Sequence, residues 1–365
     1  MLDTASEVAL IVDPRDAALS VGLRYVTDQK PGIRRNKADT AFTYVHPDGS
    51  RVGDEKLLAR IRSIVIPPAW TDVWICPYAD GHVQATGRDV RGRKQYRYHP
   101  RFREIRKSTK YEHLMAFARN LPMIRKTVAE HMALRGLPRQ KVLATVVHLL
   151  ETTLIRVGNY DYARQNNSYG LTTLQNRHVA VEGSQLRIHF AGKRGKKWSV
   201  AITDRRVAKV IKTCQELPGQ ELLQYLDEMG RPQDVTSADV NDYLHEITGE
   251  DITAKDFRTW GGTVLAAMAL REFAWFDSAA KAKKNIRAAI ERVASHLGNT
   301  PTICRKCYIH PELLNSYLEG NLQLQMRSCA ERELRENLDG LSSEEATVLA
   351  ILRTRRSEKS QQKAT

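Results

Sequence analysis

The sequence has no apolar run approaching the roughly 18 residues of a membrane span, and this removes a helical membrane protein from consideration. Its opening, MLDTASEVALIVDPRD, lacks the basic start and small-residue cleavage site of a secretory signal, so an intracellular protein is expected. Cysteine is sparse. Cys76, Cys214, Cys304, Cys307 and Cys329 are odd in number and unevenly spaced, which suits reduced thiols and not a disulfide framework. Cys304 and Cys307 form a Cys-x-x-Cys pair, but no second pair stands at matching spacing. Only His296, His310 and Cys329 lie near, so no zinc ribbon, and no metal, is expected. A redox pair of the thioredoxin type opens a helix after a strand, whereas the text before Cys304 reads as helix and turn. No internal repeat is present.

What the chain has in surplus is positive charge. Lys and Arg number 57 against 42 Asp and Glu, a net charge of +15. An excess of this size favours a polyanion through counterion release. A basic but inert surface is the plain alternative, and clustering argues against it. GRDVRGRKQYRYHPRFREIRKSTK and GKRGKK concentrate the cations, and the first interleaves them with aromatics able to stack on bases. Nucleic acid is the expected partner.

With 365 residues, 42% of them hydrophobic, the chain can bury a large core in two domains. Residues 20 to 98 favour strands and turns, in LRYVTDQKPG, FTYVHPDGSRV, DVWICP and GHVQATGRD. One helix, EKLLARIRSIVIPPAW, interrupts them and is expected to end at Pro67-Pro68. The order breaks at the charged passage YHPRFREIRKSTK. Beyond it, segments such as RQKVLATVVHLLETTLIRVG, SADVNDYLHEITG and AKDFRTWGGTVLAAMALREF carry apolar stripes at helical spacing. RHVAVEGSQLRIHFAGKRGKKWSVAI alternates like a small sheet whose turn projects basic side chains. The expected class is α+β: a small, mainly β N-terminal domain over 1–100, a larger, mainly α domain with a small β-sheet over 101–320, and a C-terminal extension over 321–365. The last ten residues, RSEKSQQKAT, are expected to be disordered.

Several residues carry a chemical reading beside a plain one. Arg156 ends an apolar helix just before Gly158, a natural C-cap, where an arginine can simply satisfy terminal carbonyls. Lys193 sits in the turn AGKRG, where a solvated lysine is the default. Lys255 and Arg258, three apart, share one helix face. Asn299 follows Gly298 where a helix stops and suits a turn. Tyr308 suits a core position with a tied hydroxyl. Taken in order, however, arginine, lysine, a lysine–arginine pair, a polar donor and tyrosine are what a phosphodiester transferase without a metal needs.

In that order the chain resembles the type IB DNA topoisomerases, most closely their compact poxvirus-like and bacterial branch. The resemblance spans nearly the whole chain and rests on IRVGN…YGLTTLQNRHV, FAGKRGK, ITAKDFRTWG and LGNTPTICRKCY, with GRKQYRYHP ahead of them. It implies a nucleophile at Tyr308, phosphate-binding arginines at Arg156 and Arg258, and a further phosphate contact at Tyr162. Lys193 is similar to the lysine that protonates the leaving 5′ oxygen, with Lys255 assisting. Gln95, Tyr96 and Tyr98 match side chains that contact the DNA major groove. Most relatives have histidine where this chain has Asn299; asparagine keeps an amide donor but cannot become cationic.

The implied activity is relaxation of supercoiled double-stranded DNA through a transient 3′-phosphotyrosyl break, strand swivelling and religation. It uses no cofactor, ATP or metal, and is performed by a monomer clamping the duplex in the cytoplasm, at the nucleoid if the source is bacterial. Tyrosine recombinases share the Arg, Lys, Arg, Tyr order but usually carry histidine where Lys255 stands, and the β-rich N-terminal part favours the topoisomerase. A non-enzymatic architectural DNA binder fits the charge alone.

Overall fold

The computed structural model describes residues 14–38, 41–90, 92–273, 276–322 and 340–364; Cys329 lies outside them. The architecture is α+β: a region built on a small antiparallel sheet, then a mostly helical region with small sheets. Two compact units, Met1–His113 and Leu114–Thr365, divide the chain. No helix among the described residues is long and apolar enough to cross a membrane.

The first unit holds helices α1 (Pro14–Leu19) and α2 (Glu55–Ser63) and strands β1 (Ile33–Ala38), β2 (Ala41–Val45), β3 (Thr71–Ile75), β4 (Val83–Arg88) and β5 (Lys94–Tyr98). The strands form one antiparallel sheet in the order β2-β1-β3-β4-β5. Ile33, Val52, Ile61, Val73, Ile75 and Ala85 make its core, with α2 contributing Ile61. Asp54 caps α2 by accepting from Lys56 N. The helix stops well before Pro67-Pro68, because Val65 takes a left-handed φ of 52°. The expected strand over LRYVTDQKPG is not one. Beyond the single bridge from Arg24 to Gly81, its backbone bonds go elsewhere: the Val26 N–H donates to His82 Nδ1 at 3.1 Å. The strand lies further on, at β1.

The charged passage where a break was expected is instead the start of α3 (Pro100–Met132). Proline is well suited to a first turn, where its missing N–H has no partner to lose. In the second unit follow α4 (Arg139–Thr153), α5 (Tyr160–Asn166), α6 (Arg205–Gln215), α7 (Ser237–Thr248), α8 (Ala254–Arg271), α9 (Ala279–Leu297), α10 (Pro301–Cys307), α11 (Pro311–Leu318) and α12 (Ser343–Ala364). Strands β6 (Val179–Glu182), β7 (Gln185–Ala191) and β8 (Lys197–Thr203) form a three-stranded antiparallel sheet, and β9 (Gln224–Leu226) pairs with β10 (Pro232–Asp234). Helix α4 is central: Val142, Leu143, Val146, Val147, Leu149 and Leu150 are all buried. Burying each such leucine or valine is worth about 1.5–3 kcal/mol. The C-terminal residues expected to be disordered continue α12 as far as Ala364.

Candidate active site

Arg156 does not end a helix. Helix α4 stops at Thr153, and Leu154 caps it with a left-handed φ of 54°. The chain then runs extended through Arg156 to Gly158, whose φ of +110° belongs to glycine. This segment is seated on the backbone at Gly170. Leu171 N–H donates to Arg156 O at 2.9 Å, and Thr172 N–H donates to Val157 O at 2.7 Å. A Cβ on Gly170 would stand 2.6 Å from Arg156 O and from Gly158 Cα, so only glycine permits the contact that fixes Arg156.

Arg258 comes from α8, whose first turn is closed by a capping box: Thr253 N–H and Oγ1 donate to Asp256 Oδ2 at 2.9 and 2.8 Å. Arg258 is 3% exposed. Nη2 donates to Leu297 O at 2.7 Å and Nη1 to Leu154 O, so the side chain joins the ends of α4 and α9. Nε is buried with no acceptor in hydrogen-bonding range among the described residues. Burial, then the nearby Arg156 cation, pulls its pKa down to about 10, with Tyr308 opposing the shift; it remains a cation at neutral pH.

Tyr308 follows α10. That helix starts at Pro301 behind the Thr300 cap, and the Tyr308 N–H closes its last turn onto Cys304 O at 2.9 Å. The adjoining glycines of α8 set its position. A Cβ on Gly262 would meet Tyr308 O at 2.5 Å, and one on Gly261 would meet Leu154 Cδ1 at 2.8 Å. The helix backbone therefore lies close against the Leu154 side chain on one side and the Tyr308 backbone on the other. The Arg258 guanidinium carbon lies 5.1 Å from the Tyr308 ring centroid.

Asn299 stands at the end of α9, where Gly298 has φ +63° and Asn299 N–H donates to Ala294 O at 3.0 Å, a Schellman arrangement. Arg156 Nη2 donates to Asn299 Oδ1. With its oxygen occupied by a cation, the side chain is left with its amide N–H groups as the unused face, and Nδ2 is buried without an acceptor among the described residues.

Lys193 is exposed in the turn Lys193–Gly195 between β7 and β8. Phe190 and Trp198 stack across the hairpin, and Trp198 lies against Gly298, where a Cβ would come within 2.7 Å of the ring. Lys196 Nζ donates to Ser295 O at 3.0 Å. The hairpin is thus fixed to the same turn that carries Asn299. The Lys193 ammonium lies 5.5 Å from the ring centroid of Tyr162 on α5.

One cavity of about 290 Å³ gathers Arg156, Tyr162, Lys193, Lys255, Arg258 and Tyr308. Asn299 adjoins it through Arg156. Asn159, Ser168 and Tyr169 also line it and were not anticipated. Asn159 had a readable signal, as a cap before α5, where it accepts from Tyr162 N at 2.9 Å. Two guanidiniums and two ammonium groups beside a phenol make a pocket suited to holding an anion. Cys304 is fully buried, and burial pushes its thiol up to about 11, so it is not a thiolate. Among the described residues no group of three or more metal-binding side chains occurs.

Gln95, Tyr96 and Tyr98 belong to the first unit, on β5. Strand alternation separates them. Tyr96 and Tyr98 are exposed on one face and stacked with centroids 5.8 Å apart. Gln95 points the other way, half-buried, with Nε2 donating to Asp89 Oδ2 at 3.0 Å.

A pocket lined by two arginines, two lysines and a tyrosine suits an anionic group such as a phosphate. Residues 99–334 match the family described as eukaryotic DNA topoisomerase I, catalytic core. Residues 41–89 match the bacterial DNA topoisomerase IB N-terminal domain. The chain is 31% identical over 293 residues to DNA topoisomerase 1B of Acanthamoeba polyphaga mimivirus, covering 78% of this chain and 87% of that one. It is 26% identical over 311 residues to DNA topoisomerase 1 of rabbit fibroma virus, covering 78% and 91%. DNA topoisomerase 1B of vaccinia virus (strain Copenhagen) is 24% identical over 243 residues, covering 64% and 72%. The chain belongs to the type IB DNA topoisomerase family.

Proposed function

We propose that this enzyme relaxes supercoiled double-stranded DNA by breaking and resealing one strand through Tyr308. The observation that carries the reading is the convergence of Arg156, Lys193, Lys255, Arg258 and Tyr308 on one cavity. The phenolic oxygen of Tyr308 attacks a backbone phosphorus and forms a 3′-phosphotyrosyl bond as the bond to the 5′ oxygen breaks. Negative charge on the non-bridging oxygens rises in the pentacovalent state. Arg156 and Arg258 hold those oxygens, and the buried amide of Asn299 supplies a further donor. Tyr162 contacts a neighbouring phosphate.

The departing 5′ oxygen is a poor leaving group until it takes a proton. Lys193 provides it from the hairpin tip and Lys255, exposed on the first turn of α8, assists. The phosphotyrosyl bond retains the energy of the broken phosphodiester, so the 5′ hydroxyl can reseal the strand after swivelling, without ATP. The cationic groups meet the electrostatic demand without a metal. In the first unit, Tyr96 and Tyr98 engage DNA from the exposed face of β5, while Gln95 orients the turn through Asp89.

The test is supercoiled plasmid in EDTA without ATP. Relaxation of both positive and negative supercoils is expected, along with a covalent protein–DNA adduct on denaturation. Tyr308→Phe should abolish both and leave duplex binding nearly intact. Relaxation by Tyr308→Phe at the parental rate would refute the assignment.

A further inference from the structure

The segment after the nucleophile ends in α12, which is part of the core and not an appendage. Ala346, Val348, Leu349, Ala350, Ile351 and Leu352 are buried, and the helix packs on α8 and α11. Its first turn carries a carboxylate, Glu345, that is 8% exposed.

Both oxygens of Glu345 are fully engaged. Oε2 accepts from Ser342 N–H at 2.9 Å and from Arg125 Nη1 at 2.9 Å. Oε1 accepts from Arg125 Nη2 at 2.9 Å and from the indole Nε1–H of Trp260 at 3.1 Å. Four donors satisfy the four lone-pair sites of a carboxylate, and the Arg125 contact is the bidentate fork that fixes orientation as well as distance. The Ser342 bond alone would be an ordinary helix cap. The other three bonds leave α12.

They lead to α8, which carries Arg258, and through Arg125 on α3 to α4, the helix that precedes Arg156. Arg125, on α3, also donates from Nε to Glu151 Oε1 at 2.6 Å, and Glu151 lies on α4 five residues before Arg156. Trp260 lies on α8 two residues after Arg258 and is itself 3% exposed. Two residues along an α-helix are about 200° apart around its axis. Glu345 therefore holds α8 from the side opposite Arg258, while Gly261 and Gly262 press the helix against Leu154 and Tyr308.

We infer that Glu345 is a positioning residue for cleavage: through Trp260 it sets the rotation of α8, and so the aim of Arg258, and through Arg125 it ties that setting to α4. This rests on the reading of the pocket given above. Removing the carboxylate frees the indole N–H and leaves Arg125 with Glu151 and the Gly340 carbonyl. The helix then gains rotational freedom about its axis, and displacement of a charge-stabilising group by a fraction of an ångström lowers the rate without changing how DNA binds.

The experiment measures single-turnover relaxation of supercoiled plasmid with enzyme in excess, and affinity for a labelled linear duplex, at a temperature well below each variant's melting point. Glu345→Ala should relax plasmid roughly tenfold or more slowly with duplex affinity unchanged. Trp260→Phe, which keeps the buried ring and removes only the N–H, should show the same split in smaller degree and serves if Glu345→Ala does not fold. Glu345→Gln, which keeps an acceptor for the indole, should recover part of the rate. In an Arg258→Lys background, Glu345→Ala should add little further slowing, because the group it aims is already altered. Variants with lower melting points but parental rates per folded molecule would overturn the positioning role and leave the pocket assignment standing. Absence of Tyr308-dependent relaxation in the parent protein would overturn the pocket assignment itself.

Discussion

Gly262→Ala is the smallest change that interrogates the geometry of the nucleophile. The added Cβ would lie 2.5 Å from Tyr308 O, 3.3 Å from Tyr308 Cβ and 3.2 Å from Leu297 Cδ1. The nearest of these is a backbone atom, so the tyrosine and α8 must separate by roughly half to one ångström. Overpacking of this kind costs about 1–3 kcal/mol, and the better helix propensity of alanine returns about 1 kcal/mol. The fold should survive with little net loss. The chemistry should not be spared, because a shift near 1 Å at a reacting group costs on the order of a hundredfold in rate. Plasmid relaxation and adduct yield should fall together while linear duplex binds as before. Gly261→Ala is the control: its Cβ meets only the branched end of the Leu154 side chain, at 2.8 and 2.9 Å, which can rotate aside. A folded Gly262→Ala protein that relaxed plasmid within about threefold of the parent rate would refute the idea that backbone contact sets the position of Tyr308.

Lys193→Ala should slow cleavage of ordinary DNA strongly, and cleavage of a substrate with sulfur at the bridging 5′ position little, since a thiolate leaves without a proton; equal slowing on both would remove Lys193 as the acid. Asn299→His should retain relaxation activity, whereas Asn299→Ala should lose on the order of ten- to a thousandfold, the range for deletion of one transition-state donor; an unimpaired alanine variant would strike Asn299 from the site. Cys304→Ala combined with Cys307→Ser should relax plasmid close to the parental rate, and loss of cleavage in that folded double variant would return the chemistry to the thiols.

The order of the basic and phenolic residues made the site readable, because each residue type answers a separate demand of phosphoryl transfer. Their placement was less readable. Arg156 seemed to end a helix because Gly158 looks like a C-cap, whereas Leu154 takes the left-handed turn itself and the glycine serves a close backbone contact. The helix that starts at Pro100 was hidden in the charged text after Tyr98, because periodicity weighs apolar residues and the first turns of α3 have few. Gln95, Tyr96 and Tyr98 were grouped by resemblance to side chains that contact the DNA major groove, and a period of two places the glutamine on the opposite face of the strand from the two tyrosines. The role of Glu345 had a local signal, Ser342 to Glu345 as a capping box before an apolar run, but nothing local announces Arg125 and Trp260, which lie 220 and 85 residues away.

The grip of Arg156 on the Asn299 oxygen bears on how the reaction responds to acidity. A histidine in this place would change its charge between about pH 5 and 8, and its hold on a phosphate oxygen would change with it. An amide has no such transition. Its donor strength is the same at every pH the fold withstands, and the neighbouring guanidinium decides which end of the amide faces the pocket. The contribution proposed for this residue to cleavage and to resealing should therefore be constant across neutral pH.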